Sequence, residues 1–299
     1  MIKTKRKRMG AVGVTLSAAA LALLVVAASA QAFSAEYQKF QYCPYTNAET
    51  SKCLYSVTES GETVLGSKKV AVEKQVVLQG GFSKANETTK MSKFVAATNG
   101  ITLSKAAQNV PGGLLGIVPE EKQSWLVKRL IKFFFENSLT GVSATLELAK
   151  PASEIEISES HLSRKELVAL KMPIRVHLEN PFLGASCFVG SSSSPIIWNL
   201  TTGVTAPPKP NEPIEGKAGK ITFLEGGRIL RLTENKLVDN AWSAPSASGC
   251  GGILAFLVNP IVNFSSGLPS AAGKNTAILN NTIYIASAAA VKKDNEEHP

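Results

Sequence analysis

A period-two alternation of apolar and polar residues, broken at short intervals by Gly, Ser and Pro, does most to limit the folds open to this chain. In "MPIRVHLEN", Ile174, Val176 and Leu178 take one face and Arg175, His177 and Glu179 the other. "GVSATLELA" sets Val142, Ala144, Leu146 and Leu148 against Ser143, Thr145 and Glu147, and "KVAVEK" puts Val70 and Val72 together. Such alternation marks strands with one covered and one wet face. The same reading makes strands of "SEIEIS", "PIIWNLTTG", "ITFLEGG", "RILRLTENKLV", "NTAILNNTIYIA" (as a strand or hairpin), the short runs from Cys53 to Gly81, and "NGITLSKA" (99–106). Many short strands with such turns predict a mainly β domain over 33–286. The form expected is a β-sandwich or distorted barrel with one or two inserted helices. A parallel β-helix is the alternative, resting on the Asn-bearing runs "LTENKLVDN" and "ILNNTIYIA", although no fixed period links them.

Two stretches read as helices, near 119–138 and 251–264. In the first, Pro119 opens the helix, and Glu120 and Glu121 lie where the dipole favours acids. Lys128, Arg129 and Lys132 lie towards the other end, and Asn137, Ser138 and Gly141 supply the stop. Within it, "WLVKRLIKFFFEN" places Leu126, Leu130, Phe133, Phe134 and Phe135 on a broad apolar arc, with Trp125 amid the polar side. These six are the candidate hydrophobic-contact residues. A helix this apolar is expected to sink into a groove of the core rather than lie on a membrane. The second stretch, "GGILAFLVNPIVNF", is apolar and should kink or end near Asn259-Pro260. Residues 201–220 are Pro-rich and read as a mobile connector; 287–299 read as a polar tail.

The compartment is read from the first 32 residues. Lys3, Lys5, Arg6, Lys7 and Arg8 precede an Ala-rich apolar run, Ala11 to Ala28, and small-x-small sites follow at Ala28-Ser29-Ala30 and Ala30-Gln31-Ala32. That is the layout of a secretory signal peptide, with an uncleaved anchor as the alternative. These five cations account for five of the formal +9, leaving +4, too little for a nucleic-acid stripe. No further membrane span is expected after cleavage. Cys43, Cys53, Cys187 and Cys250 all follow the segment, and an even count in an exported chain reads as disulfides. Of three connectivities, Cys43–Cys53 and Cys187–Cys250 are favoured, because the first pair flanks a short loop.

Searches for catalytic patterns return little. There is no G-x-S-x-G, H-E-x-x-H, G-x-G-x-x-G or CxxC. "GLPSAAGKNT" misses the phosphate-binding loop in spacing and has Asn275 where a hydroxyl must hold magnesium. His177 and His161 are the histidine candidates for general base work, and Asp239 is one of few aspartates able to orient them. Glu154 and Glu156 are a candidate carboxylate pair on one strand face, although alternation alone also places acids there. The Ser cluster in "VGSSSSP" reads as a turn. The sequons at Asn86, Asn199, Asn263 and Asn280 matter only in a host that glycosylates exported chains. No cofactor, metal or nucleic-acid partner is expected.

"CPYTNAETSKCLYSVTESGE", "HLENPFLGASCFVGSSSSPIIWNLTTG" and "LVDNAWSAPSASGCGGILAFLVNPIVNFSSGLPSAAGKNTAILNNT" together resemble a group of exported actinobacterial proteins. The resemblance implies an envelope or extracellular location and brings no activity or catalytic residue with it. The expectation is an exported structural or binding protein without catalysis, whose partner is a hydrophobic ligand or an envelope component. A lipid-binding or membrane-contacting protein is second, and a secreted hydrolase third.

Overall fold

The computed structural model describes residues 33–111, 113, 141–165 and 167–298. The signal-like segment and the stretch 119–138, with Trp125, Leu126, Leu130, Phe133, Phe134 and Phe135, lie outside the described residues. Residues 31–299 form one compact unit.

The alternating runs become the strands of a closed antiparallel barrel. In chain order these are β1 (Lys52–Leu65), β2 (Lys68–Ala71), β3 (Val76–Phe82), β4 (Ser92–Ala96), β5 (Gln108–Val110), β6 (Val142–Leu148) and β7 (Glu156–Ile157). They continue as β8 (Val168–Glu179), β9 (Phe188–Val189), β10 (Ile196–Thr201), β11 (Lys220–Leu224), β12 (Ile229–Asp239), β13 (Ala247–Ser248) and β14 (Thr276–Ser287). The ring runs β10-β12-β14-β1-β3-β4-β7-β8 and returns to β10, because Ile196 to Thr201 also pair with Ile174 to Val168. β5 and β6 extend the sheet beyond β8, and β2, β9, β11 and β13 are short additions.

Every named ladder is antiparallel, which overturns the β-helix alternative. The two Asn-bearing runs are neighbours, β12 and β14, with Asn235 opposite Asn281 beside an irregularity in the ladder. "NTAILNNTIYIA" is one strand, not a hairpin. Residues 99–106 keep one bridge, Leu103 to Leu78, and form no strand. There the Ser104 hydroxyl accepts the Val77 N–H at 2.8 Å, taking a place a backbone carbonyl would fill in a ladder.

Bending lets β1 wrap the barrel. Its register against β14 shifts between Thr58 and Ser60, and Gly61 follows at φ 140°. A Cβ at Gly61 would sit 2.0 Å from the Ile278 carbonyl oxygen, so no other residue fits.

Three helices occur among the described residues: α1 (Glu159–Ser163), α2 (Ala255–Ser266) and α3 (Ala288–Glu297). α2 is the expected second apolar helix and carries Pro260 inside it. α3 corrects the expected tail. Ser287 caps it by accepting the Ala290 N–H at 3.1 Å, and Val291 is buried with Tyr37, Phe40 and Ile229 in a small second core. Its Asp294 carboxylate accepts the Ser34 N–H and hydroxyl at 3.0 and 2.8 Å, so the two ends of the unit meet. Both disulfides have the expected connectivity, Cys43–Cys53 and Cys187–Cys250.

The connector at 201–220 is pinned. Asn211 Nδ2 donates to the carbonyls of Asn240 and Asn275, both at 2.9 Å, and Asn240 Nδ2 donates to the Glu212 carbonyl at 2.8 Å. Asn275, in the sequence resembling a phosphate loop, is fully buried and bonds Gly66, Trp242 and Ala271 instead.

Candidate functional site: an apolar lumen

Alternation on strands that close into a ring sends one set of side chains inward. β8 contributes Leu170, Met172, Ile174 and Val176; β6 adds Ala144 and Leu146; β10 adds Ile196 and Trp198. Val76 and Leu78 of β3, Leu237 of β12 and Leu279 of β14 complete the greasy wall, with Val70 and Val72 closing one side. They line a cavity of about 120 Å³. One water needs roughly 10–15 Å³ on the same measure, so this is room for a ligand rather than a packing defect. A second chamber of about 50 Å³ shares Leu65, Val70, Ala144 and Val176 with the first and continues to Ser266, the last residue of α2, and to Leu268 just after it. Eight strands make a barrel just wide enough to be filled by side chains or to hold one small molecule. Here the space is left open.

Most polar groups in the wall are spoken for. The Thr58 hydroxyl donates to Asn281 Oδ1 at 2.7 Å, and Asn281 Nδ2 donates to the Leu279 carbonyl at 3.0 Å. Gln108 accepts the N–H groups of Glu73 and Lys74 and donates to the carbonyls of Lys74 and Ala106. Trp198 and Trp242 meet edge to face at 6.1 Å, and Trp242 Nε1 donates to the Asp239 carbonyl at 3.3 Å. What the cavity presents is therefore nearly all hydrocarbon and ring face. Apolar cavities of this kind take apolar occupants.

Asp239 closes the ring beside this wall. β10 and β12 share one backbone pair, Thr201 with Val238. Beyond it the Asp239 carboxylate stands in for the missing ladder. Oδ2 accepts the Asn199 N–H at 2.6 Å and Oδ1 accepts the Ala241 N–H at 2.9 Å. Burial pushes this carboxyl up from its ordinary value, and the two N–H groups pull it part of the way back. Asn has one oxygen for two donors, so Asp239→Asn should lose about 1–3 kcal/mol, read as a lower melting temperature. A raised folded-state value means the stability tied to the neutral carboxyl is complete below the unfolded value. It is lost as pH rises through the raised one. The melting gap between the parent chain and Asp239→Asn should therefore narrow as pH climbs out of the ordinary aspartate range.

The catalytic candidates are not brought together. His161 is buried in the middle of α1, with Nδ1 2.8 Å from the Val168 carbonyl, a structural bond. His177 is on the outer face of β8, as alternation predicts, but it is covered rather than solvated. Its ring stacks on Phe188 at 4.4 Å, and the Arg175 guanidinium also lies over Phe188 at 4.1 Å. His177 Nδ1 is 3.5 Å from Glu179 and 3.9 Å from Glu147, and no hydroxyl bonds the ring among the described residues. Burial raises the Glu147 carboxyl, but hydrogen bonds from Arg175 and Lys105 outweigh it and hold the group below its ordinary value. Glu154 lies in a 3-10 turn, not on a strand, so it shares no strand face with Glu156. The Lys93 hydrogen bond keeps Glu156 below its ordinary value, the opposite of what a general acid needs. Ser191 and Ser194 bond each other in a turn.

No family model, curated protein or solved structure matches this chain. The class defined by fold and site is an eight-stranded antiparallel barrel with an apolar interior, stapled by two disulfides.

Proposed function

We propose that this is an exported, non-catalytic binding protein that holds a small apolar molecule, or a stretch of alkyl chain, in the barrel lumen. The observation that carries the reading is the cavity itself, an apolar space of about 120 Å³ lined by the inward side chains of the barrel. Support for export comes from the signal-like N-terminus, from the likeness to exported actinobacterial proteins, and from two disulfides, which persist in oxidising compartments. The wall offers shape and hydrophobic contact, its few polar side chains being Ser56, Thr58, Thr63, Gln108 and Asn281, so selection rests on size more than on hydrogen bonding.

The test uses residues 33–299, which hold every described strand, both disulfides and both cores. The protein is made in an oxidising compartment, extracted with organic solvent, and the extract read by mass spectrometry. The expected result is an apolar compound in stoichiometric amount, or an empty protein that takes up bromohexanol saturably, with quenching of tryptophan fluorescence. Trp198 and Trp242 are in the lumen wall. A Trp125→Phe background leaves only these two of the three tryptophans. An empty protein with no saturable quenching would sink the reading.

A further inference from the structure

α2 and the turn before it carry a feature the lumen does not explain. No charged residue occurs between Asp239 and Lys274. Within that run Ile253 is 96% exposed, Phe256 73%, Phe264 61% and Leu254 48%. Phe256, Pro260 and Phe264 follow at four-residue steps and share the outer side of the helix, while Val258, Ile261 and Val262 are buried on the inner side. The helix is also fixed in this pose. Cys250 is bridged to Cys187, its N–H donates to Asn259 Oδ1 at 2.9 Å, and Asn263 exchanges hydrogen bonds with Ala247 at 2.6 and 3.1 Å. The exposed side chains cannot turn inward without breaking these ties.

We propose that this face docks on a lipid bilayer, with Ile253, Leu254, Phe256 and Phe264 entering the interfacial layer. A membrane suits it better than a second copy of the chain. The exposed apolar area, on the order of 500 Å², is carried by four large side chains in a run that holds no charged residue. Interfacial insertion needs a few large apolar side chains and no matching surface. The placement adds a role: Ser266 and Leu268, at the end of α2, line the smaller chamber of the lumen. Docking would set that end of the barrel against the lipid from which an apolar ligand comes. This link to uptake rests on the lumen reading; the contact itself does not.

The experiment is flotation of oxidised residues 33–299 with phosphatidylcholine vesicles, at low and high salt, alongside Ile253→Asp/Phe256→Asp. The parent is expected to float at both salts, because the face holds no charge to screen. The double variant should lose about tenfold or more of its partitioning. Its melting temperature and bromohexanol quenching should stay unchanged, since neither residue touches the lumen. A parent that does not float overturns the proposal. So does a variant that floats equally, or a parent dimer in sedimentation that the substitutions make monomeric. A lumen-filled Ala144→Phe protein that still floats would show that the docking stands apart from the cavity.

Discussion

Ala144→Phe should abolish saturable quenching of the lumen tryptophans by bromohexanol, or weaken it at least about tenfold, which is roughly 1.4 kcal/mol. Ala144 lies on β6 where the two chambers meet, and it lines both. Its small side chain leaves the junction open, and a phenyl ring there fills it. Stability should move the other way. Empty apolar space costs on the order of 24 cal/mol per Å³, so a cavity of about 120 Å³ corresponds to about 3 kcal/mol. A filled lumen should therefore melt no lower than the parent, and higher where the ring fits without strain. A protein that keeps such a space trades stability for it, as binding sites do. Lost stability with intact quenching would mean that the ring does not enter the lumen and that the ligand lies elsewhere.

Alternation made the strands legible, and it fixed which side chains face inward. Ile174, Val176, Ala144 and Leu146 all line the lumen, on the face the sequence assigned to them. Closure was not legible. It depends on β8 pairing with both β7 and β10, and on a seam that one Asp side chain completes, none of which leaves a local pattern. The sequence offers Asp239 only as a partner for a histidine. Its nearest signal was an acid at the end of an apolar strand, "NKLVD", where a buried carboxylate must find N–H donors.

The site was legible in kind and not in place. An apolar-ligand reading rested on helical stretches, one of them outside the described residues. The cavity is formed by strands that read simply as core. From the sequence, an inward Val or Leu facing a partner and one facing empty space are identical; ring size decides between them. The tail reads as polar because "AAAVKKDNEE" has few large apolar residues, yet a Ser cap, buried Ala288 and Val291, and the Asp294 bonds to Ser34 dock it. The turn residues were read correctly where their bonds are local, as at Ser191 and Ser194, and missed at Asn211 and Asn275, whose partners are remote in the chain.

Removing the long disulfide should cost more than removing the short one. Cys187 and Cys250 are 63 residues apart, whereas Cys43 and Cys53 are separated by 10. Loop-closure entropy then gives about 4 kcal/mol for the first bridge and about 2.7 kcal/mol for the second. In a unit of this size each kcal/mol moves the melting temperature by roughly 2–4 °C. Cys187→Ala/Cys250→Ala should therefore melt about 8–16 °C below the parent, and Cys43→Ala/Cys53→Ala about 5–11 °C below. Alanine is the right replacement because all four sulfurs are buried and a serine hydroxyl would add a desolvation cost of its own. The reverse order in thermal melts would show that native packing, not chain entropy, sets the worth of the bridges. The long bridge has a second role that the melts can separate. Without it, the Asn259 and Asn263 side chains still tie α2 to the backbone of Cys250 and Ala247. Vesicle flotation of the bridge-free protein below its melting temperature should therefore persist, since the outward face of the helix is held by hydrogen bonds as well as by sulfur.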